Sequence, residues 1–159
     1  MLDRRFIGWL LLAVVVIVLD QVVKAMVASH FAYGDGVIVT SFFNLVYVRN
    51  HGAAFSFLAD AGGWQRWFFV ALAAAVSAWL IVTLYRHRRE ALMAAACAFI
   101  LGGAIGNVID RVTLGSVVDF LDFHTAGYHF PAFNLADSAI TLGVILMLLH
   151  QLLEGRKHV

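Results

Sequence analysis

Four long apolar segments dominate the chain, and they predict its main elements. They cover residues about 6–28, 67–85, 91–109 and 135–153. A helix rises about 1.5 Å per residue, so about 20 apolar residues cross a hydrocarbon core about 30 Å thick. Each segment is apolar around its whole circumference, which is typical of a helix surrounded by lipid and other helices. The pattern predicts an all-α membrane protein with four transmembrane helices.

A different pattern follows the first apolar segment. The stretch GVIVTSFFNLVYVRN, residues 36–50, is rich in β-branched and aromatic residues in rough alternation. Such residues favour strands. We therefore expect a small β-structured platform outside the membrane, next to the helices. No linker or internal repeat is visible in the sequence, so residues 1–159 are predicted to form a single integral-membrane domain.

Positive residues are distributed unevenly between the two ends of the predicted helices. One end carries Arg4, Arg5, Arg86, Arg88, Arg89, Arg156 and Lys157. The opposite connections carry Arg49, Arg66 and Arg111. Cytoplasmic loops are enriched in Lys and Arg. Both termini are therefore predicted to be cytoplasmic, with loops 29–66 and 110–134 facing outward.

The composition supports a lipid environment and narrows the possible functions. The chain is 62% hydrophobic and 13% charged, with a mean hydropathy of +0.87, whereas soluble domains are about 25% charged. The net charge of +1 argues against a nucleic-acid partner. The single cysteine, Cys97, lies in an apolar run. An internal disulfide and a two-cysteine metal site are therefore excluded.

Polar residues from different helices are expected to meet at one depth. Measured from Arg5, Asp20 lies about 22 Å and Lys24 about 28 Å along the first helix, in the outer part of the membrane. The two are four residues apart and share a face. The outer ends of the third and fourth helices and the loop between them carry Asn107, Asp110, Arg111, Asp119, Asn134 and Asp137. Topology thus predicts one polar layer at the outer edge of the membrane.

Some of these residues also have structural explanations. Asp20 and Lys24 fit an intramembrane ion pair, which we favour over a direct chemical role for them. Asn134 and Asp137 fit a capping box, N-x-x-D, at the start of the fourth helix. The spacing alone is compatible with two roles for Asp137, a helix cap and a catalytic group.

The last outward loop leaves similar alternatives. Asp119 and Asp122 fit either a solvated loop or, for Asp119, a functional site. The group Asn107, Asp110 and Arg111 could simply end the third helix and anchor it at the interface. The sequence alone does not choose between these interpretations.

If Asp119 and Asp137 come together, their chemistry is constrained. Two carboxylates beside lipid cannot both be ionised comfortably, so they would share one proton. The ionised partner can then take a proton from water, while the protonated partner donates to a carbonyl oxygen. That is general acid–base hydrolysis of an amide without a covalent intermediate.

Four motifs follow one another along the chain: DQVVK, residues 20–24; RNHGAAFSF, residues 49–57; GGAIGNVIDRVTLGSVVDF, residues 102–120; and FPAFNLADSAI, residues 130–140. Together they resemble the motifs of the lipoprotein signal peptidase family, also called signal peptidase II. The resemblance covers essentially the whole chain. It implies an intramembrane aspartic endopeptidase of the bacterial cytoplasmic (inner) membrane, with its active site at the outer face.

The resemblance also implies a substrate and an inhibitor. The substrate would be a diacylglyceryl-modified prolipoprotein, cut just before the lipidated cysteine. Globomycin, a cyclic peptide, would inhibit the enzyme. We expect a monomer that works in contact with membrane lipid and needs no metal or other cofactor.

Residue roles follow motif by motif from the same resemblance. The catalytic pair would be Asp119, from VVDF, and Asp137, from NLAD. The residues that would hold this pair and the substrate are Asn107, Asp110, Arg111 and Asn134. The residues that would support the fold or contact substrate are Asp20, Lys24, Asn50 and Gly52.

Two other functional classes compete with this interpretation. A proton-coupled membrane carrier also places charges in the membrane, but it predicts ionisable groups near the midplane and often a repeated half. A metal hydrolase could use His51, His124 and His129. However, the sequence contains no H-E-x-x-H or comparable spacing. We therefore expect these histidines to be interfacial side chains.

Overall fold

The computed structural model describes residues 3–52 and 62–155, and these form four long helices and one small sheet. The helices are α1 Arg4–His30, α2 Gln65–Arg86, α3 Ala91–Leu114 and α4 Leu135–Gly155. The strands are β1 Gly36–Thr40, β2 Phe43–Asn50, β3 Val117–Thr125 and β4 Tyr128–His129. All four helices are long and apolar enough to cross a membrane. The predicted fold class, four transmembrane helices with a small β-structured platform, is confirmed.

Each predicted apolar segment lies within one of these helices. The single-domain arrangement, the positions of the membrane boundaries and the orientation stay predictions. Part of the RNHGAAFSF motif, together with Arg156 and Lys157, lies outside the described residues.

Helix α3 is the centre of the bundle because its small residues let its neighbours approach closely. Within the most apolar window of each helix, 56% of α3 is buried, against 17–22% for the other three. A Cβ atom on Gly103 would collide with the carbonyl oxygen of Ala136 in α4. A Cβ atom on Gly106 would lie 2.7 Å from Oδ2 of Asp20 in α1. Glycine at these positions therefore brings α1, α3 and α4 together at the level of the polar residues.

The sheet stands at one end of the bundle and fixes the position of β3. Its strand order is β1-β2-β3-β4, and all neighbours are antiparallel. The β2–β3 register pairs Val48 with Asp119. A buried apolar cluster that includes Val27 at the end of α1 and Val118 and Phe120 of β3 attaches the sheet to the helices. The sheet therefore places Asp119 against the ends of the helices.

The predicted outward loop 110–134 is more regular than its sequence suggests. Helix α3 continues to Leu114 and ends at Gly115, which has a φ of 81°. This left-handed conformation is one that glycine adopts without steric cost. Strands β3 and β4 then follow within the same segment. The solvated-loop interpretation is wrong for Asp119 and Asp122, because both lie in β3 and are buried.

The other end of the bundle is held by polar contacts between helix termini. Arg88, after α2, forms an ion pair of 2.7 Å with Asp3, which precedes α1. His150, near the end of α4, lies 3.3 Å from the Glu90 carboxylate at the start of α3. Four consecutive antiparallel helices thus place the sheet and these contacts at opposite ends.

Candidate active site

Asp119 is a nearly inaccessible carboxyl group in the middle of a strand. Only 3% of its surface is exposed. Its Oδ1 accepts a hydrogen bond of 2.7 Å from Nδ2 of Asn134, and the side chain of Asn50 also hydrogen-bonds to it. Burial, and next the negative charge of Asp137, raise the pKa of Asp119 to about 7, against the lowering effect of the two asparagines. Asp119 can therefore hold a proton at neutral pH, unlike an ordinary aspartate.

Asp137 lies in the first turn of α4, where its carboxylate is held at both oxygens. Oδ1 accepts a hydrogen bond of 2.8 Å from Nδ2 of Asn107, and Oδ2 accepts one of 3.2 Å from the backbone N–H of Asn134. In return, the Asp137 N–H donates to Oδ1 of Asn134 at 2.8 Å. The capping box is therefore formed, and it orients the carboxylate. The positive end of the α4 dipole favours a negative charge here.

Asn134 is the link between the two aspartates. It is fully buried. Its Nδ2 lies within hydrogen-bonding distance of Oδ1 of Asp119 at 2.7 Å, Oδ1 of Asn107 at 3.1 Å and the Val118 carbonyl oxygen at 3.2 Å. Its backbone and its Oδ1 contact Asp137 at the same time. The single residue Asn134 thus connects β3, α3 and the start of α4.

Lys24 has three buried partners, one for each of its ammonium protons. Its Nζ lies 2.8 Å from Oδ2 of Asp20, 3.0 Å from Oδ2 of Asp110 and 3.0 Å from Oδ1 of Asn107. The predicted Asp20–Lys24 ion pair is therefore present, and a second carboxylate joins it. Because Lys24 donates to the oxygen of the Asn107 amide, the nitrogen of that amide must point the other way, toward Asp137.

The carboxylates around Lys24 also fix backbone elements of the site. Oδ1 of Asp20 accepts a hydrogen bond of 2.9 Å from the N–H of Ala136 in the first turn of α4. Oδ2 of Asp110 accepts one of 3.0 Å from the N–H of Val118, next to Asp119. Gln21 joins the network by donating to Oδ1 of Asp110 at 2.9 Å. These contacts therefore hold the backbone next to each catalytic candidate, at Val118 beside Asp119 and at Ala136 beside Asp137.

Gln21 is the member of this network that sequence reasoning did not single out. It lies in the DQVVK motif next to Asp20, and its Nε2 also donates to Oδ2 of Asp20 at 3.2 Å. Its amide within a long apolar run is the only sequence signal that could have identified it.

Arg111 supplies positive charge beside the aspartates. Its guanidinium donates to the Gly52 carbonyl oxygen at 2.9 Å and lies over the Phe69 ring at 4.9 Å from the centroid. It is close enough to both aspartates to interact with them electrostatically. The Gly52 N–H in turn donates to Oδ1 of Asn50 at 2.9 Å. The residues predicted from the first outer loop, Asn50 and Gly52, are thus joined to the site.

A cavity of about 890 Å³ opens from these groups into the helix bundle. Its polar end is lined by Asn50, Asn107, Arg111, Asp119 and Asp137. Its apolar wall includes Leu72, Val76, Ile100, Ala104, Ile140 and Ile145 from α2, α3 and α4. A volume of this kind is typical of a ligand site. Because this apolar wall lies between membrane-spanning helices, it can accommodate an apolar chain.

Asp122 lies in the same strand as Asp119 but belongs to a different site. It does not line this cavity. Its carboxylate is 2.8 Å from Nδ1 of His129 and accepts a hydrogen bond of 2.8 Å from Asn44. Burial acts to raise the pKa of Asp122, but the hydrogen bonds from His129 and Asn44 outweigh it, so the pKa is lowered.

The histidines considered for a metal site are not assembled into one. His124 stacks on His129 with ring centroids 4.9 Å apart, and His51 is exposed. Within residues 3–52 and 62–155, no three His, Cys, Asp or Glu side chains are grouped so that they could bind a metal ion. The absence of a metal requirement stays a prediction.

The structure brings all ten predicted site residues to one end of the bundle. Eight of them, all except Asp119 and Asp137, position the pair or supply neighbouring charge. Two carboxyl groups with different environments and one shared asparagine can act as acid and base on a bound amide. The fold and the site therefore define a multi-pass membrane protein in which a buried aspartate, Asp119, and a half-buried one, Asp137, line a cavity between the helices.

Comparison with known proteins gives the family. The family model described as Signal peptidase (SPase) II matches residues 12–153. The chain belongs to this family, and it is a peptidase of the aspartic type. The proton-coupled carrier is accordingly not favoured.

Individual relatives agree over nearly the whole chain. The lipoprotein signal peptidase of Cupriavidus necator is 55% identical over 150 residues, which is 94% of this chain and 86% of that protein. That of Azoarcus sp. strain BH72 is 57% identical over 148 residues, which is 93% of this chain and 84% of that protein. A solved bacterial membrane enzyme superposes with a TM-score of 0.84 at 36% identity, covering 93% of this chain and 89% of that one. The resemblance seen in the sequence is confirmed.

Proposed function

We propose that this protein removes the signal peptide from diacylglyceryl-modified prolipoproteins, cutting just before the lipidated cysteine, and that Asp119 and Asp137 are its catalytic pair. The observation that supports this most directly is the pair itself. Asn134 donates to Asp119 at 2.7 Å and bonds Asp137 through its backbone, at the polar end of a cavity between membrane helices.

In the proposed first step, Asp119 is the acid and Asp137 the base. Asp119 holds the shared proton because its carboxyl group is buried and its pKa is raised to about 7. Asp137 is the partner left ionised when Asp119 holds the shared proton, and it accepts two N–H donors at the positive end of α4. Asp137 takes a proton from water, and the water oxygen attacks the carbonyl carbon. Asp119 gives its proton to the carbonyl oxygen, which yields a neutral tetrahedral diol.

In the second step the diol collapses and the peptide bond breaks. Asp137 now carries a proton and gives it to the nitrogen of the lipidated cysteine. Asp119 takes a proton back from one hydroxyl of the diol as the carbonyl re-forms. The C–N bond breaks, and the products are the carboxylic acid of the signal peptide and the free amine of the cysteine. Both aspartates return to their starting states, as a catalyst requires.

The remaining polar residues position this chemistry. Lys24 and Asn134 both donate to the Asn107 oxygen, so the Asn107 nitrogen stays directed at Asp137. Arg111 provides a half-buried positive charge beside the aspartates, which would stabilise the partial negative charge that develops on the carbonyl oxygen before Asp119 protonates it. The apolar wall of the cavity would receive the diacylglyceryl chains, at about 0.8 kcal/mol per buried methylene.

The proposal also covers the membrane location, the oligomeric state, the cofactor requirement and the inhibitor of the enzyme. We place the site at the outer face of the bacterial cytoplasmic (inner) membrane, because the described cations that are predicted to be cytoplasmic, Arg4, Arg5, Arg86, Arg88 and Arg89, lie at the other end of the helices. The enzyme works as a monomer in contact with membrane lipid and without a metal or other cofactor. A globomycin-type cyclic peptide would compete for the cavity.

Cleavage of a defined precursor tests the proposal. Purified protein in lipid nanodiscs should release a product that begins at the lipidated cysteine, as read by mass spectrometry. The same precursor without its diacylglyceryl group should have a kcat/KM lower by at least about 100-fold, or about 2.7 kcal/mol of lost binding. A strong chelator should leave the rate unchanged, and globomycin should inhibit it. Equal rates on the two precursors, or cleavage at another bond, would contradict the proposed substrate.

The pH dependence tests the assignment of the acid. Raising the pH through about 7 removes the proton from Asp119. Because the proposed first step needs that proton, kcat/KM should fall about tenfold per pH unit on the alkaline side. The matched control is Asp122→Asn, which changes an aspartate of the same strand outside the cavity and should keep the wild-type profile. A rate that stays constant well above pH 7 would show that Asp119 is not the acid.

A further inference from the structure

A second cavity lies at the end of the bundle opposite the aspartate pair. Its volume is about 470 Å³. The start of α1 and the turn between α2 and α3 enclose it, with Arg5, Gly8, Trp9, Leu12, Arg88 and Arg89 in its lining. The proposed peptidase chemistry uses none of these residues, so the cavity needs a separate explanation.

Three arginines line the cavity, and the single carboxylate of Asp3 beside them can neutralise only one of these charges. Arg88 is already paired with Asp3 at 2.7 Å and stacks over Tyr85 at 4.5 Å from the ring centroid. Arg5 and Arg89 are exposed, and neither forms an ion pair with a carboxylate in the described part of the chain. Two guanidinium groups that converge on one cavity favour an anion with several oxygens, because their planar N–H donors match phosphate.

The rest of the lining is apolar, which a free anion in water would not require. Trp9 is half-buried, and its Nε1 donates to the Arg88 carbonyl oxygen at 3.2 Å, which fixes the indole as a wall. Gly8 leaves the floor open, since a Cβ atom there would have no neighbour within 4 Å. Further along α1, Leu11 and Val15 are 59% and 51% exposed. The cavity therefore continues into the lipid-facing surface of α1.

We propose that this cavity binds one anionic phospholipid. Its phosphodiester lies between Arg5 and Arg89, and its glycerol and first methylenes lie against Trp9 and Leu12. Basic pockets between transmembrane helices are suited to such head groups, and tryptophan is enriched at the same depth of the membrane. The bound lipid would connect α1 to the α2–α3 turn at the end of the bundle that lacks the sheet.

Native mass spectrometry of the detergent-purified full chain tests this site with phosphatidylglycerol and phosphatidylcholine as probes. The first phosphatidylglycerol should bind about tenfold tighter than phosphatidylcholine, and Arg5→Gln with Arg89→Gln should abolish that preference. The matched control is Arg4→Gln with Arg86→Gln, which removes the same charge at the same end of the helices but outside the cavity lining. It should keep the preference within about twofold.

A neutral substitution separates the shape of the cavity from its charge. Gly8→Leu should project into the cavity, since its Cβ would meet no neighbour within 4 Å, and it should weaken phosphatidylglycerol binding while the melting temperature of the lipid-free protein is retained. Equal loss in the Arg4→Gln, Arg86→Gln control, or unchanged binding in Gly8→Leu, would show general surface attraction and overturn the proposal. Inorganic phosphate in excess should not displace the lipid. If it does, the cavity is a free-anion site and the lipid assignment is wrong.

Discussion

Replacing Asp119 or Asp137 with asparagine is expected to lower kcat/KM for a diacylated prolipoprotein by at least about 10³-fold, or about 4 kcal/mol in activation free energy. Asparagine keeps the size of the side chain but can neither take a proton from water nor give one to a carbonyl oxygen. The two groups act as one unit, in which each needs the other in the opposite protonation state. The double variant should therefore be no slower than either single variant.

The stability of the same variants distinguishes lost chemistry from lost folding. The pKa of Asp119 is raised from 3.8 in its ordinary state to about 7 in the fold. The free energy of unfolding therefore falls as the pH rises between these values, and this deficit in stability is complete above about 7. Asp119→Asn removes that deficit, so its melting temperature at pH 8 should equal or exceed that of the wild type. Asp122→Asn, in the same strand, should retain activity and serves as the control.

Two results would contradict the assignment of the pair. One is a single variant that cleaves at a rate close to wild type. The other is a double variant whose loss is the sum of the two single losses in free energy, because independent groups and not a coupled pair would behave in that way. Single-turnover assays, on variants whose melting temperature shows that they are folded, would distinguish a coupled pair from independent groups.

The helices and the convergence of the aspartates could be predicted from the sequence because both depend on simple periodic features. Apolar runs of sufficient length define the spans, and antiparallel order places the ends of α3 and α4 at the same depth. Strands β1 and β2 follow from the β-branched and aromatic residues of 36–50. These properties are local, so a single sequence carries them.

Strand β3 was not predictable in the same way. Its residues Val117, Val118, Asp119 and Phe120 are all buried, so the strand shows none of the alternation between polar and apolar faces that marks a half-exposed strand. An aspartate within such a run suggests a loop when it is considered alone. It is tolerated here because Asn134 and Asn50 hydrogen-bond to it, and those contacts come from distant parts of the chain.

The partners of Lys24 illustrate the same limit. The spacing of four residues predicts its pair with Asp20, since both lie on one helix. It does not predict Asp110 or Asn107, because these depend on how closely α1 approaches α3. That approach is set by Gly106, which leaves room for the Asp20 carboxylate. The spacing alone therefore predicts half of an ion pair, whereas the structure places Lys24 at the centre of a network.

Lys24→Met is expected to destabilise the protein by about 3–5 kcal/mol, because it leaves buried acids without a positive partner. Asp20 and Asp110 are almost completely buried, and both lie within 3.0 Å of Nζ. The measurement is unfolding of the purified protein in detergent, followed by the melting temperature and by denaturant titration. Activity should fall as well, since Asn107 loses the donor that directs its nitrogen toward Asp137.

A second substitution shows whether unpaired charge is the cause. In Lys24→Met with Asp110→Asn, one buried acid is neutralised, so the double variant should be more stable than the sum of the two single losses predicts. Arg88→Met removes the cation of the Asp3–Arg88 pair, whose side chains are 27% and 23% exposed, and it should shift the melting temperature far less. If Lys24→Met and Arg88→Met shift it equally, Lys24 does not neutralise the network. The hydrogen bonds to the α4 and β3 backbones would then have to hold the aspartate pair without it.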